Sequence, residues 1–119
     1  MDILIQYFLK KNTIYRTLFN SIITKRLHSL RGRVLDIGAG DATYEKIIKN
    51  NDVSYFKTDY MSSDSIDFVV DFNKTFPIKD NDFDSVLLFN SIYIAESPQF
   101  VIDECYRILK RGGEDVYYI

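Results

Sequence analysis

The sequence predicts an α/β domain built on a mainly parallel sheet, and three features carry that prediction. An apolar, β-branched run at residues 33–37, RVLDI, breaks at Gly38-Ala39-Gly40 before a helical pattern begins. Further strand-like runs follow at 53–59, 66–70, 85–90 and 115–119. Between them lie helical stretches or polar turns, the alternation expected of strands joined by crossovers. With 119 residues there is room for one domain and one core, and 46% hydrophobic with 27% charged residues is ordinary for a globular chain.

The chain divides into an N-terminal helical segment, residues 1–31, and an α/β core, residues 32–119. In the first, apolar residues recur with helical period from Ile3 to Leu30, with a break at Asn12-Thr13, where Thr13 is placed to cap a second helix. No apolar stretch there approaches the ~18 residues of a membrane span, and the acidic start argues against a signal peptide. The net charge of −2 is unevenly spread: residues 1–33 carry +6 and the remainder −8. Two readings stay open, a basic helix lying across an acidic domain or a basic face for phosphate-bearing or membrane-surface partners. No recognised nucleic-acid reader motif accompanies the basic residues.

The strand, glycine turn and helix at 33–50 outline a nucleotide site. Glycines admit positive φ and let a ligand lie against bare backbone, and the following helix offers unpaired N–H groups. Asp41 is a reasonable N-cap for that helix, with Lys46 and Lys49 near its C-terminal end and Asn50-Asn51 as its stop. Asp36, two residues before Gly38, places a charge at the carboxyl end of a buried strand, which is costly unless polar groups wait there. Asp59 closes the next strand, VSYFKTD, nineteen residues after Gly40, where an acid can accept from a ribose diol.

Between Asp59 and Ile66 there are six residues, too few for a helical crossover, so a turn is predicted in place of a helix. Strand three is predicted at 66–70, followed by Asp71-Phe72, an extended connection through Phe76-Pro77-Ile78 and a polar turn at Asp80-Asn81-Asp82. Phe83-Asp84 opens strand four, SVLLFN. Ser97 and Pro98 stand as cap and first residue of a helix with Phe100, Val101, Cys105, Ile108 and Leu109 as its buried stripe and Gly112-Gly113 as its end. Cys105 has no partner for an internal disulfide and reads as a buried thiol in a reducing, cytoplasmic compartment. The single His28 and the absence of a CxxC pair exclude a His/Cys metal site, so no metal is expected.

The segments VLDIGAG, TDY, VVDF, FPIKDNDFDSVLLFNSI and ECYRILKRGG, in this order over residues 33–115, resemble the consecutive motifs of class I S-adenosylmethionine-dependent methyltransferases, most nearly the type 11 branch. The resemblance implies a Rossmann-like three-layer sandwich with about five strands in the order 3-2-1-4-5, and, since the family's full sheet has seven, a chain read as ending before strands six and seven. It implies S-adenosyl-L-methionine as cofactor, S-adenosylhomocysteine as product, and Asp36, Gly38, Gly40, Asp59, Tyr60, Asp71, Phe72 and Asn90 as cofactor-binding residues. Tyr60 would pack on adenine, and Asp71 would accept from its amino group beside the Phe72 N–H. Asn90, Ser91 and Tyr93 would lie near the sulfonium, with Tyr93 as an orienting catalytic group.

Methyl transfer by in-line displacement needs orientation and exclusion of water more than a dedicated nucleophile. The expected acceptor is a small molecule, lipid or glycan that this sequence does not specify. The family's third glycine is replaced by Ala42, and its usual proline by Arg111. The N-terminal helices are expected either to pack on the sheet or to cover the cofactor as a lid. Strand five, rich in apolar residues, presents an edge expected to pair with a second copy or another chain. The alternative function is a non-catalytic subunit of the same fold that holds a partner through this edge. A nicotinamide site is disfavoured, since Thr43 stands where Gly-x-Gly-x-x-Gly needs its third glycine.

Overall fold

A computed structural model of the chain describes residues 21–22, 24–38, 45–48, 52–88, 94–111 and 116–118. Among the described residues, five parallel strands lie in the order β3-β2-β1-β4-β5. These are β1 (Gly32–Asp36), β2 (Val53–Asp59), β3 (Phe68–Val69), β4 (Ser85–Leu88) and β5 (Val116–Tyr118). Helix α1 (Glu45–Ile48) lies between β1 and β2, and α2 (Pro98–Ile108) between β4 and β5. The order 3-2-1-4 of the first four strands is the one predicted. Its reversal point falls between β1 and β4, where open α/β sheets hold their ligands.

Strand alternation sends side chains to two cores. Val34 and Leu87 join Leu27, Leu30 and Ile48 on one face; Leu35, Ile37, Val86 and Leu88 join Val101, Cys105 and Ile108 on the other. Each such fully buried aliphatic side chain contributes roughly 1.5–3 kcal/mol. Residues 24–28 are helical, and Leu27 and Leu30 pack beneath β1 and β4. The described part of the N-terminal segment therefore packs on the sheet. One ion pair runs from its end to the core, Arg31 to Asp52 at 3.6 Å, and within the core Arg33 of β1 pairs with Asp82 at 3.3 Å. The Arg33 guanidinium also lies over the rings of Phe56 and Phe83, 4.6 and 4.9 Å from their centroids.

Several boundaries differ from expectation. Strand β1 begins one residue early, at Gly32, whose N–H bonds the Asp52 carbonyl at 2.8 Å. Strand β3 is cut from five residues to two: the Asp67 carboxylate takes the Lys57 N–H at 2.8 Å, replacing a backbone rung with a side chain. As the short connection requires, residues 60–67 form no helix.

Helix α2 starts as predicted, with Ser97 accepting from the Phe100 N–H and Pro98 in the first turn, but it stops at Ile108, well before Gly112-Gly113. The turn at 81–83 causes this. Its N–H groups bond the Arg107 and Ile108 carbonyls, while Leu109 turns extended, bridges to Phe83 and lets the Lys110 N–H reach the Phe83 carbonyl at 2.8 Å. Phe100, expected in the buried stripe, is only half-buried, and Glu104 is buried in its stead. Cys105 is fully buried, and desolvation pushes its thiol up to about 12.

Candidate functional site

At the carboxyl ends of β1 and β2, the structure forms a cavity of about 470 Å³ lined by Gly38, Thr58, Asp59, Tyr60, Val70, Asp71, Phe72, Asn73 and Ile94. Such a volume suits a ligand of nucleoside size. Three chain segments build it. Strand β1 runs into Gly38, which adopts φ 67°, the left-handed region that a side chain resists. Strand β2 delivers Thr58, Asp59 and Tyr60 at its tip, and the segment after β3 delivers Val70 to Asn73.

The acids are held from the backbone. An Asp59 carboxylate oxygen accepts from the Tyr60 N–H at 2.7 Å, and its carbonyl accepts from the Val70 N–H at 2.9 Å, which ties the two acidic tips together. Asp71 accepts from the Asn73 N–H at 2.9 Å and lies 4.0 Å from the Lys74 ammonium. Phe72 is packed into the core against Phe76, ring centroids 6.3 Å apart, so the wall at Asp71 rests on a fixed base. Tyr60 and Ile94 stand exposed, 71% and 65%, and present apolar surface at the mouth.

Of the predicted residues, Gly38, Asp59, Tyr60, Asp71 and Phe72 are brought to one cavity. Asp36 lies apart. It pairs with Lys57 inside the sheet and is turned to the face of Leu87 and Tyr55, where the Tyr55 hydroxyl donates to its carboxylate. Burial, partly offset by that hydrogen bond, pushes the Asp36 carboxyl up to about 6; Glu45 raises it further and Lys57 opposes. The Tyr55 hydroxyl is raised above its ordinary range by burial and by Asp36. Gly40, Asn90 and Tyr93 lie outside the described residues, as do Asp41, Ala42 and Ser91. Among the described residues there is no group of acids, histidines and cysteines able to hold a metal ion, and no helix long and apolar enough to cross a membrane.

Sequence reasoning missed Thr58, Val70, Asn73 and Ile94 on the wall, and Tyr55 behind Asp36. The signal for Tyr55 was present. Residues 34, 36, 55 and 57 share one face once β1 and β2 are in parallel register, so a tyrosine there reaches diagonally to the acid.

The family model described as a methyltransferase domain matches residues 35–116, and the chain belongs to that family. It is 29% identical over 112 residues to the uncharacterized protein MJ1123 of Methanocaldococcus jannaschii, covering 92% of this chain and 53% of the relative. The chain thus spans about half the length of the curated relative it matches. A crystal structure from Methanococcus maripaludis, described as an S-adenosyl-L-methionine-dependent methyltransferase, aligns with a TM-score of 0.65 at 25% identity over 88% of this chain and 59% of that one. A complex of the Haloferax volcanii Trm112 methyltransferase activator with a protein described as a methyltransferase aligns with a TM-score of 0.63 at 22% identity, covering 80% and 49%.

Proposed function

We propose that the chain binds S-adenosyl-L-methionine in the cavity between Gly38, Asp59 and Asp71 and serves methyl transfer to a small-molecule, lipid or glycan acceptor. The observation that carries this reading is the meeting of two strand-tip acids with a glycine turn on one wall. The residues present suit the ligand. Asp59 offers acceptors to a ribose diol, Asp71 to an exocyclic amine, and Tyr60 an exposed ring to the base. Gly38 adds a stretch of wall without a side chain, and Asp36 supports the strand beneath that turn through Tyr55. When bound, the cofactor supplies a methyl group already activated on a sulfonium, so the protein's share is to orient the partners and keep water out. Gly40, Asn90 and Tyr93 are assigned by the family pattern to the same site, Tyr93 as an orienting group toward the acceptor. A buried free thiol supports a reducing, cytoplasmic setting.

Titration calorimetry with S-adenosylhomocysteine tests the reading. Micromolar binding by the chain, lost in Asp59→Ala, supports it; no heat at millimolar ligand overturns it.

A second reading, a non-catalytic subunit that holds a partner or a second copy along β5, draws on the position of β5 at the sheet edge and on the Haloferax volcanii neighbour, whose structure is a complex with an activator protein. Sedimentation at high concentration tests the edge, since a monomer throughout argues against self-pairing.

A further inference from the structure

The β1–β2 ladder ends at the pair Asp36 and Lys57, and beyond it the backbone of β1 splits its allegiance. The Ile37 N–H turns toward β4 and bonds the Leu87 carbonyl at 2.9 Å. The next N–H, that of Gly38, points toward β2 and meets the hydroxyl oxygen of Thr58 at 3.1 Å. A side chain thus continues the ladder where the backbone rungs have stopped. Thr58 has no solvent exposure, and it and Gly38 both line the cavity. In a strand tip a valine or isoleucine would fill this place equally well, so the hydroxyl is there for its bond.

We propose that Thr58 is a positioning residue of the cofactor site: its hydroxyl, by accepting from the Gly38 N–H, holds the glycine turn in the left-handed conformation that leaves the cavity wall bare. Gly38 sits at φ 67°, one of many conformations open to a glycine, so something outside the residue must select it. The Thr58 hydroxyl accepts from the N–H of this peptide at 3.1 Å and so ties its direction to the tip of β2. And the turn contributes wall to the same cavity as Asp59, the residue following Thr58, so loosening one side of the tip changes the spacing between Gly38 and the acid. The role rests on the cofactor reading above, and its test separates the two.

The variants are Thr58→Val, which keeps the shape and removes the acceptor, and Thr58→Ser, which keeps the hydroxyl. S-adenosylhomocysteine affinity is measured by calorimetry, and exchange of the Gly38 amide proton by NMR. Thr58→Val is expected to weaken binding about tenfold, the scale of one hydrogen bond, and to speed Gly38 exchange about tenfold or more. Thr58→Ser is expected to stay within about threefold of the parent chain on both counts, a rescue that a purely space-filling role would not give. Unchanged affinity and unchanged Gly38 exchange in Thr58→Val overturn the proposal. If the parent chain binds no S-adenosylhomocysteine, the cofactor reading fails and the amide decides alone: faster exchange in Thr58→Val upholds the hold on the turn, and equal exchange removes it.

Discussion

The Tyr55 hydroxyl donates to the Asp36 carboxylate across two adjacent strands, on the face they share, Asp36 standing two residues along from Val34, the register partner of Tyr55. The acid is 4% exposed and its nearby charges, Glu45 and Lys57, act in opposite directions. The tyrosine is therefore the direct partner that makes a buried carboxylate tolerable. Replacing it by phenylalanine removes the donor and leaves the acid with its desolvation cost. Tyr55→Phe is expected to lose about 1–3 kcal/mol at pH 7. Urea unfolding at pH 7 and again at pH 4 checks this, because the loss shrinks once Asp36 carries a proton.

Asp36 itself sets a pH dependence with a definite sign. Its folded-state pKa, about 6, lies above the ordinary 3.8, so the folded chain binds the proton more tightly than the unfolded chain does. The stabilisation this gives is complete below about pH 3.8 and is lost as pH rises through about 6. The displacement corresponds to about 3 kcal/mol. Asp36→Asn is expected to flatten the decline between pH 4 and 7, as read by denaturant midpoints across that range. A parent chain with no such decline contradicts the burial of the acid.

Gly32 is a glycine of necessity. It has φ 78°, and a Cβ placed there would lie 2.1 Å from a carboxylate oxygen of Asp84. That carboxylate already accepts from the Arg33 N–H at 2.8 Å and lies 3.4 Å from the Lys110 ammonium, so it cannot swing aside without breaking both. Gly32→Ala is expected to cost about 2 kcal/mol or more, combining backbone strain with the displaced acid. Thermal unfolding measures it; a neutral result would show that Asp84 is free to move.

How much of this was legible depended on where each structure's cause lies in the chain. Strand β2 was read with its observed bounds because the run Val53 to Asp59 follows the polar stop Asn50-Asn51-Asp52 and ends on an acid, so its cause is local. The N-cap of α2 was equally local, Ser97 beside Pro98. The end of α2 was not, since it is set by N–H groups of residues 81–83, arriving from far earlier in the chain. Within the site, Asp59 was found by its position at a strand tip, and Asp71 by the family resemblance. Thr58 and Tyr55 counted only as strand formers, and their bonds to Gly38 and Asp36 became visible when the register of β1 against β2 was known.

Glu104 and Arg107, one turn apart on α2, lock the connection that leads away from the cavity. The Glu104 carboxylate accepts from the Phe76 N–H at 2.9 Å and from the Arg107 guanidinium at 2.8 Å; Arg107 in turn donates to the Phe76 and Ile78 carbonyls and to Asp80. Phe76 is the ring against which Phe72 rests, so the clamp stands behind the Asp71 wall. The hydrogen bond from Arg107 holds the Glu104 carboxyl below its ordinary value against the opposing effect of burial, and the Phe76 N–H adds to it. A lowered carboxyl stabilises the fold above its unfolded-state pKa and loses that contribution as pH falls, the reverse of Asp36. Arg107→Met is expected to cost about 2–3 kcal/mol at pH 7, charge-assisted bonds being lost while Glu104 stays buried. Glu104→Gln is expected to remove the acid-side loss below about pH 4.5 while leaving the decline between pH 4 and 7 that belongs to Asp36. Unfolding midpoints of Glu104→Gln and Asp36→Asn across pH 3 to 8 separate the two limbs, and a double variant that retained either one would assign that limb to other groups.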